Sequence, residues 1–408
     1  MLLVGIDWAE EAHAACLLDP GGRVVRRLGV AHSRAGLGAL HAAIAAAESE
    51  PGAVLVALER AHGLLVGSLL EAGYVVYALN PKSVDRYRAR ERTSGAKTDP
   101  ADAELLARVL LTDRDRHRPL LADSAAAQEV RSLARDDERA ARDQRRLLNR
   151  LRQDLLDVFP QALAALPELD APTALAFLAR WPSADEAKRA GADELAAVFR
   201  AQHHGWPDRA AARVRAALDA PALAAPAHLA RAKAGTVRLL AEQLLLLHRQ
   251  RAAWEARLRE LLAGPEGHPD GEVLLSLPGL DARLAARVLG EVGDRRERFP
   301  TPSALQCYAG TAPVTRASGK ARVVSSRLAC NRALRQACLQ WAFCSLSRSA
   351  WARAFYDQQR GGGKPHFKAL RALANRWLEV LHALLRTGRV YDEAVHQANR
   401  TKPVRPAA

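Results

Sequence analysis

Paired cysteines are missing from this chain. Its five cysteines, Cys16, Cys307, Cys330, Cys338 and Cys344, form no C-x-x-C pair in 408 residues. An odd number in so long a chain argues against a disulfide framework and for a reducing cytoplasm. Zinc-type Cys/His spacing and H-E-x-x-H are absent too. The adjacent His203 and His204 lack a third ligand at suitable spacing and read as loop residues. No apolar run is long enough to span a membrane, so no membrane partner is expected. The opening MLLVGIDWAE reaches Asp7 without a basic stretch, which argues against a signal peptide. A glycine-rich GGGKP near the end is no phosphate-binding P-loop. The Ser/Thr after its Lys is missing, and no strand precedes it. Acidic charge is also short: 45 Asp and Glu stand against 60 Lys and Arg, a net charge of +15. A chain with a pI near 10.2 is expected to meet a polyanion, nucleic acid first, although a generic basic surface would give the same charge.

What is present falls into three parts. LLVGID, ending at Asp7, reads as a buried strand. AACLLDPGGRVVRRLGV reads as a hairpin around Asp19-Pro20-Gly21-Gly22. A helix follows, then a second buried strand, AVLVALE, ending at Glu59. A helix and a strand stopped by Pro81 complete the order. An early antiparallel hairpin followed by βαβ units implies a mixed sheet covered by helices, the layout of a ribonuclease H-like fold.

From about residue 128 to 159 the sequence turns helical and charged. Val130, Leu133, Ala140, Leu147 and Leu151 keep heptad spacing, interrupted by Asp137 and Gln144. Residues 160–228 read as short helices. A stronger seam follows in Val237, Leu240, Leu244, Leu247, Trp254, Leu258 and Leu261, with Arg251 the one intruder. The two long helices are expected either to pair within one chain or to pair with a second copy. A homodimer contact through the second seam is the expectation. In the last third, LLSLPGLDARLAARVLGEVGD resembles the helix–hairpin–helix pattern that offers backbone N–H groups to phosphates, with a plain helical hairpin as the alternative. Residues 316–335 hold six basic residues and no acidic one.

The opposite charges that do occur are gathered in a pattern. Asp7 closes the first strand and Glu59 the fourth. Asp99 and Asp102, in SGAKTDPADAELLAR, share one face of a later helix because three residues is nearly one turn. Singly, each has an ordinary explanation. Asp99 and Asp102 suit a helix start with Pro100 at its first position, Asp7 suits a strand end, and Glu59 has Arg60 or Arg92 as an ion-pair partner. Together, in the proposed sheet, the first and fourth strands are neighbours and the helix reaches both. Four gathered carboxylates repel unless divalent cations sit between them, and hard oxygen ligands select Mg²⁺ or Mn²⁺. Two such ions roughly 4 Å apart clamp both sides of a phosphoryl displacement.

GIDWAEEAHAACLLD, VALERAHGLLVGSLLEAGYVVYALNP and SGAKTDPADAELLAR resemble the N-terminal domain of the DEDD transposases, insertion-sequence recombinases of the "one-ten" family with a RuvC-like domain. LLSLPGLDARLAARVLGEVGDRRERFPTPSALQCYAG, TAPVTRASGKARVVSSRLACNRALRQACLQWA and GGGKPHFKALRALANRW resemble that family's C-terminal transposase domain. The resemblance covers about residues 1–120 and 270–385. It implies a RuvC-like metal-binding domain over 1–120 and a mainly helical C-terminal domain over 266–408; with the coiled-coil helical middle that the heptad spacing marks over 121–265, an α/β plus all-α chain is expected. The resemblance also implies a serine nucleophile at Ser318, in RASGKAR, where many relatives have a second glycine in place of Lys320. Donor and target DNA, a structured non-coding bridge RNA, a homodimer or homotetramer, and a bacterial cytoplasm and nucleoid are the implied surroundings.

The residues around Ser318 carry less on their own. Gly319 adds no side chain, so a phosphate can come close. Arg316, Lys320 and Arg322 stand ready to neutralise it, and Arg327 and Arg332 extend the basic stretch. Ser325 and Ser326 are rival nucleophiles, and a plain turn serine is the simpler explanation without the resemblance. The expectation is a DNA transposase using Mg²⁺ at Asp7, Glu59, Asp99 and Asp102. A RuvC-like nuclease using activated water and a non-catalytic nucleic-acid-binding protein are the alternatives.

Overall fold

The computed structural model describes residues 1–91, 98–221, 223, 225–319 and 321–401. The chain divides into two compact units, Met1–Ala122 and Asp123–Ala408.

The first unit is built on a five-stranded sheet. Its strands are β1 (Leu2–Asp7), β2 (Ala12–Leu18), β3 (Val24–Ala31), β4 (Val54–Leu58) and β5 (Val75–Ala78), in the spatial order β3-β2-β1-β4-β5. β1 runs antiparallel to β2 and parallel to β4, and β4 is parallel to β5. This is the mixed sheet expected from the hairpin followed by βαβ units. Every residue of β4 is buried, as a strand covered on both faces must be. Helices α1 (Arg34–Ala47) and α2 (Leu64–Glu71) lie between strands in sequence, and α3 (Pro81–Glu91) and α4 (Asp99–Asp113) follow them.

Alternation along β1 decides what each face holds. Leu2, Val4 and Ile6 share a core with Leu40 and Ile44 of α1 and with Leu65, Val66 and Leu69 of α2. Leu3 shares a second core with Leu105, Leu106, Val109 and Leu110 of α4. Gly5 lies on that second face, and a Cβ there would stand 1.9 Å from the Ala103 carbonyl oxygen. Only a residue without a side chain lets the helix backbone lie so close to the strand.

The second unit begins with α5 (Ala125–Val158). Five short helices follow: α6 (Pro160–Ala165), α7 (Pro172–Arg180), α8 (Ala184–Arg189), α9 (Ala192–Ala201) and α10 (Pro207–Asp219). His203 and His204 fall between α9 and α10, as loop residues. The long α11 (Ala227–Ala263) returns antiparallel to α5. Lys233 pairs with Asp154, Arg251 with Asp137 at 2.8 Å, and Arg257 with Glu129 at 2.8 Å. The stripe expected to pair two copies is therefore occupied by the chain itself. Val237, Leu240 and Leu244 are buried with Leu151 and Leu155 of α5 and with the short helices. Leu258 and Leu262 are buried with the C-terminal helices. The three residues that interrupted the seams meet one another: Arg251 donates to Asp137 and, at 2.8 Å, to the Gln144 side-chain oxygen.

The C-terminal helices are α12 (Gly271–Ser276), α13 (Ala282–Val292), α14 (Pro302–Ala309), α15 (Arg332–Ser345), α16 (Ala350–Gly361), α17 (His366–Thr387) and α18 (Glu393–Thr401). In their core Trp341 stacks on Trp377, and Trp351 meets Trp377 at a tilt. The Pro278-Gly279 turn between α12 and α13 packs inward. Trp341 donates to the Pro278 carbonyl at 3.0 Å, and Gly279, at a φ of +86°, lies against the backbone of Ser345. In this structure the segment is a helical hairpin docked on α15. A two-stranded ribbon, β6 (Val314–Ser318) and β7 (Ala321–Ser325), interrupts the helices, where sequence reading expected none.

Candidate active site and nucleic-acid interface

Asp7 and Glu59 are brought together by strand register. β1 and β4 pair in parallel from Leu2 opposite Val54 to Gly5 opposite Ala57. The ladder stops there; counted on by two residues it leads to Asp7 at the end of β1 and to Glu59 in the bend just after β4. Both follow Gly5 and Ala57 by two, so both belong to the face that α4 covers. Their neighbours bear this out: the Arg60 guanidinium lies 3.8 Å from the centre of the Trp8 ring. Arg60 is thus engaged by Trp8 rather than set aside as the partner of Glu59. Around Trp8, His13 is buried, accepts the Ala9 N–H and shares a 2.9 Å hydrogen bond with His32. Burial, and secondarily His32, lowers the His13 pKa.

Asp102 comes to this face from α4. It precedes Ala103, whose carbonyl approaches Gly5, and it is buried. Its Oδ1 accepts from the Arg88 Nε at 2.9 Å, and Arg88 also reaches Asp85 at 2.7 Å. Arg88 was not singled out from sequence: a lone arginine in a charged helix carries no signal of a partner fourteen residues on. Asp99 is the first residue of α4 and is exposed. Thr98 occupies the cap position, so Asp99 acts in the first turn and is not the cap. Helix α4 is also tied to the sheet by Glu104, which accepts from Arg27 of β3 at 2.6 Å. That bond, aided by Arg108, holds the Glu104 carboxyl below the ordinary range against the effect of burial.

Among the described residues no three His, Cys, Asp or Glu side chains are drawn together tightly enough to hold a metal ion. The Arg88 guanidinium faces Asp102 and neutralises it. The donor set nonetheless suits a hard divalent ion. Asp7 ends β1, Glu59 directly follows the adjacent parallel strand β4, and Asp102 lies on the helix that packs on β1.

Ser318 ends β6 at the tip of the ribbon, opposite Ala321, and is exposed. Gly319, in the two-residue turn, has a φ of +54°, the left-handed conformation such a hairpin requires. Lys320 lies outside the described residues. Alternation separates the remaining cations. Arg316, Ser318 and Val323 share one face of the ribbon, and Arg322 lies on the other with Thr315 and Val324. Arg316 and Arg322 are both exposed. The rival serines differ in setting: Ser325 is half-buried at the foot, and the Ser326 hydroxyl accepts from Arg371. Arg332 is exposed at the start of α15, while Arg327 is half-buried and its carbonyl accepts from Arg335. The ribbon was legible in principle, since VTRAS and ARVVS flank a two-residue Gly-containing turn.

A part-buried network fixes the start of α15. Asn331 donates to Glu291 at 2.6 Å and to the Tyr308 hydroxyl at 2.9 Å, and Arg135 of α5 grips Glu291 with two hydrogen bonds. A cavity of about 240 Å³ beside it is lined by Arg131, Arg135, Arg139, Arg142 and Arg287. Arg139 pairs with Asp136, and Arg142 and Arg287 both pair with Glu138, so much of this charge is met within the chain.

Comparison with known proteins agrees with both ends of the chain. Residues 4–160 match a family described as transposase, of the DEDD type of IS110. Residues 271–357 match the transposase IS116/IS110/IS902 family. The mini-circle putative transposase for IS117 of Streptomyces coelicolor is 37% identical over 399 residues, 95% of either chain. An uncharacterized 43.6 kDa protein of insertion element IS110 from the same organism is 32% identical over 96% of this chain and 95% of its own. An uncharacterized 42 kDa protein of insertion element IS900 from Mycobacterium paratuberculosis is 28% identical over 97% of this chain and 98% of its own.

Proposed function

The chain belongs to the IS110 family of insertion-element transposases, and from that premise we propose that it breaks and rejoins DNA through a covalent bond to Ser318. The carboxylates Asp7, Glu59, Asp99 and Asp102 would hold Mg²⁺ or Mn²⁺. What supports the reading is the parallel register of β1 and β4, which counted on by two residues leads to Asp7 and Glu59, together with the close approach at Gly5 of the helix that bears Asp102. A divalent cation there supplies positive charge to a phosphate whose negative charge grows during displacement.

The chain's own residues do the rest. The Ser318 Oγ attacks phosphorus, and an Oγ–P bond forms as the bond to the departing deoxyribose oxygen breaks. The serine proton passes to solvent and the departing oxygen takes one up. Attack by the hydroxyl of another strand reverses the step, restores a phosphodiester and frees Ser318, so no nucleotide is consumed. Arg316, on the serine's face, neutralises the phosphate. Arg322, on the opposite face, follows the backbone of the strand, with Arg327 and Arg332 further along. The partners in this reading are donor DNA, target DNA and a structured non-coding RNA that selects both, on a homodimer or homotetramer in the bacterial cytoplasm. Val237, Leu240, Leu244 and Leu258 of the 237–261 stripe are buried within the chain, so those positions do not serve a contact between copies.

The test uses a nicked DNA substrate that blocks rejoining, incubated with Mg²⁺ and then denatured. Wild type should retain DNA covalently, while Ser318→Ala and Asp102→Asn should not, with folding unchanged by circular dichroism. Cleaved DNA bearing a free phosphate, still produced by Ser318→Ala, would establish a water-activating nuclease instead. A link that persists in Ser318→Ala would move the nucleophile to Ser325 or Ser326.

A further inference from the structure

Three of the chain's seven phenylalanines, Phe159, Phe177 and Phe199, are fully buried. Phe343 of α15 and Phe367 of α17 are not, exposing 57% and 73% of their surface. They flank one ring. His366 meets Phe343 edge-on at 6.3 Å and Phe367 at 5.1 Å. Its Nδ1 shares a 2.7 Å hydrogen bond with the Tyr356 hydroxyl, which fixes the imidazole between the two phenyl rings. The result is an ordered aromatic surface open to solvent, formed by α15 and by the start of α17, where the GGGKPHFK stretch that is not a P-loop enters the helix.

Its surroundings are strongly basic. Residues 343–371 hold six basic side chains and one acid, Asp357. That acid is paired with Arg353. Arg360 and Lys368 are exposed and Lys364 is half-buried around the rings. An apolar protein surface would be matched by an apolar or mixed rim. Rings of this kind inside a cationic rim match a single nucleic-acid strand, whose bases stack while its phosphates meet the cations.

We propose that Phe343, His366 and Phe367 form a stacking platform for unpaired bases of single-stranded DNA, with Arg360, Lys364 and Lys368 holding the flanking phosphates. The proposal rests on the DNA-rejoining reading above, which requires strands to come apart before exchange. It assigns the GGGKPHFK turn a role apart from both the carboxylates and Ser318: keeping an opened strand from re-pairing.

The test measures equilibrium binding of the full-length protein to a labelled single-stranded DNA, its duplex and an RNA of the same sequence. Phe367→Ala should weaken single-stranded DNA binding roughly 5- to 150-fold, the range for losing one base–aromatic stack. Phe343→Ala should act in the same direction, and Phe367→Trp should restore binding. Duplex affinity and melting temperature should not change, because Phe367 is largely exposed. Lys368→Gln should instead lower the salt slope for single strands by about 0.7. Unchanged single-strand binding in Phe367→Ala, equal losses for single strand and duplex, or wild-type binding of RNA but not of single-stranded DNA would each overturn the proposal. If Phe367→Ala binds normally and the Ser318 link to DNA still forms, only the platform falls. If wild type binds neither duplex nor single strand, the rejoining reading falls with it.

Discussion

Replacing Gly5 by alanine asks whether the helix and strand that assemble the carboxylates touch as described. The new Cβ would lie 1.9 Å from the Ala103 carbonyl oxygen and 2.5 Å from the Ala107 nitrogen. Neither obstacle can rotate away, because both are helix backbone. Relief requires α4 to retreat from β1 by about 1 Å or more, in an interior packed as densely as a crystal. Overpacking usually costs about 1–3 kcal/mol, and a backbone clash belongs at the upper end. For a unit this size about 3 kcal/mol corresponds to a melting point lower by about 10 °C. The retreat also draws Asp102 away from Asp7, so recombination should fail even at temperatures where the variant remains folded. Gly29→Ala is the control: it lies in β3, is exposed, and has nothing within 4 Å of its added Cβ. Its melting point should match wild type. The assays are calorimetric melting and recombination of a plasmid substrate. If Gly5→Ala melts with wild type and recombines fully, α4 does not lie against β1, and the convergence of the acids is wrong.

Two further outcomes are expected. Leu244 is fully buried within its own chain, so Leu244→Lys should unfold the helical middle, with a loss of more than about 3 kcal/mol and of helical circular dichroism; a folded variant with native melting that merely dissociates would return the stripe to a contact between copies. The pKa values of His13 and His41 are lowered by burial from an ordinary 6.5, so both favour the neutral form in the folded state. Their contribution is full above that pH and is lost as pH falls through the lowered values; the first unit should melt lower at pH 5.5 than at 7.5, His13→Gln should reduce the difference, and a melting point that rises on acidification would refute the assignment.

The sheet was legible because its signals are local. Alternation and turn residues mark the β2–β3 hairpin, and the acids announce themselves by ending two buried strands. The order of those strands then followed from connection rules. What escaped depends on partners distant in sequence. Asp137, Gln144 and Arg251 each read as a flaw in a seam, because a heptad pattern cannot reveal that three flaws share one site. Arg88 gave no sign that it would face Asp102. The ribbon was hidden for another reason: five-residue strands among long helices are short apolar runs, and only the Gly319 turn distinguishes them. Which cation shares the serine's face follows from register and could not be read before the ribbon was known.

The paired arms α5 and α11 also determine where this chain can change length. Glu129 meets Arg257 near one end and Asp154 meets Lys233 toward the other, and the small helices between residues 160 and 219 hang from the latter. Those helices pack around Phe177 and Phe199 and against one end of both arms, at Leu151 and Leu155 of α5 and Val237, Leu240 and Leu244 of α11. Extra residues in their connecting loops lengthen an appendage without shifting either arm along the other. Adding three residues within α11 between Lys233 and Arg251 would turn one stretch of the stripe by most of a helical revolution and carry Arg251 past Asp137. Growth is thus cheap at the tip of the hairpin and costly along its shaft.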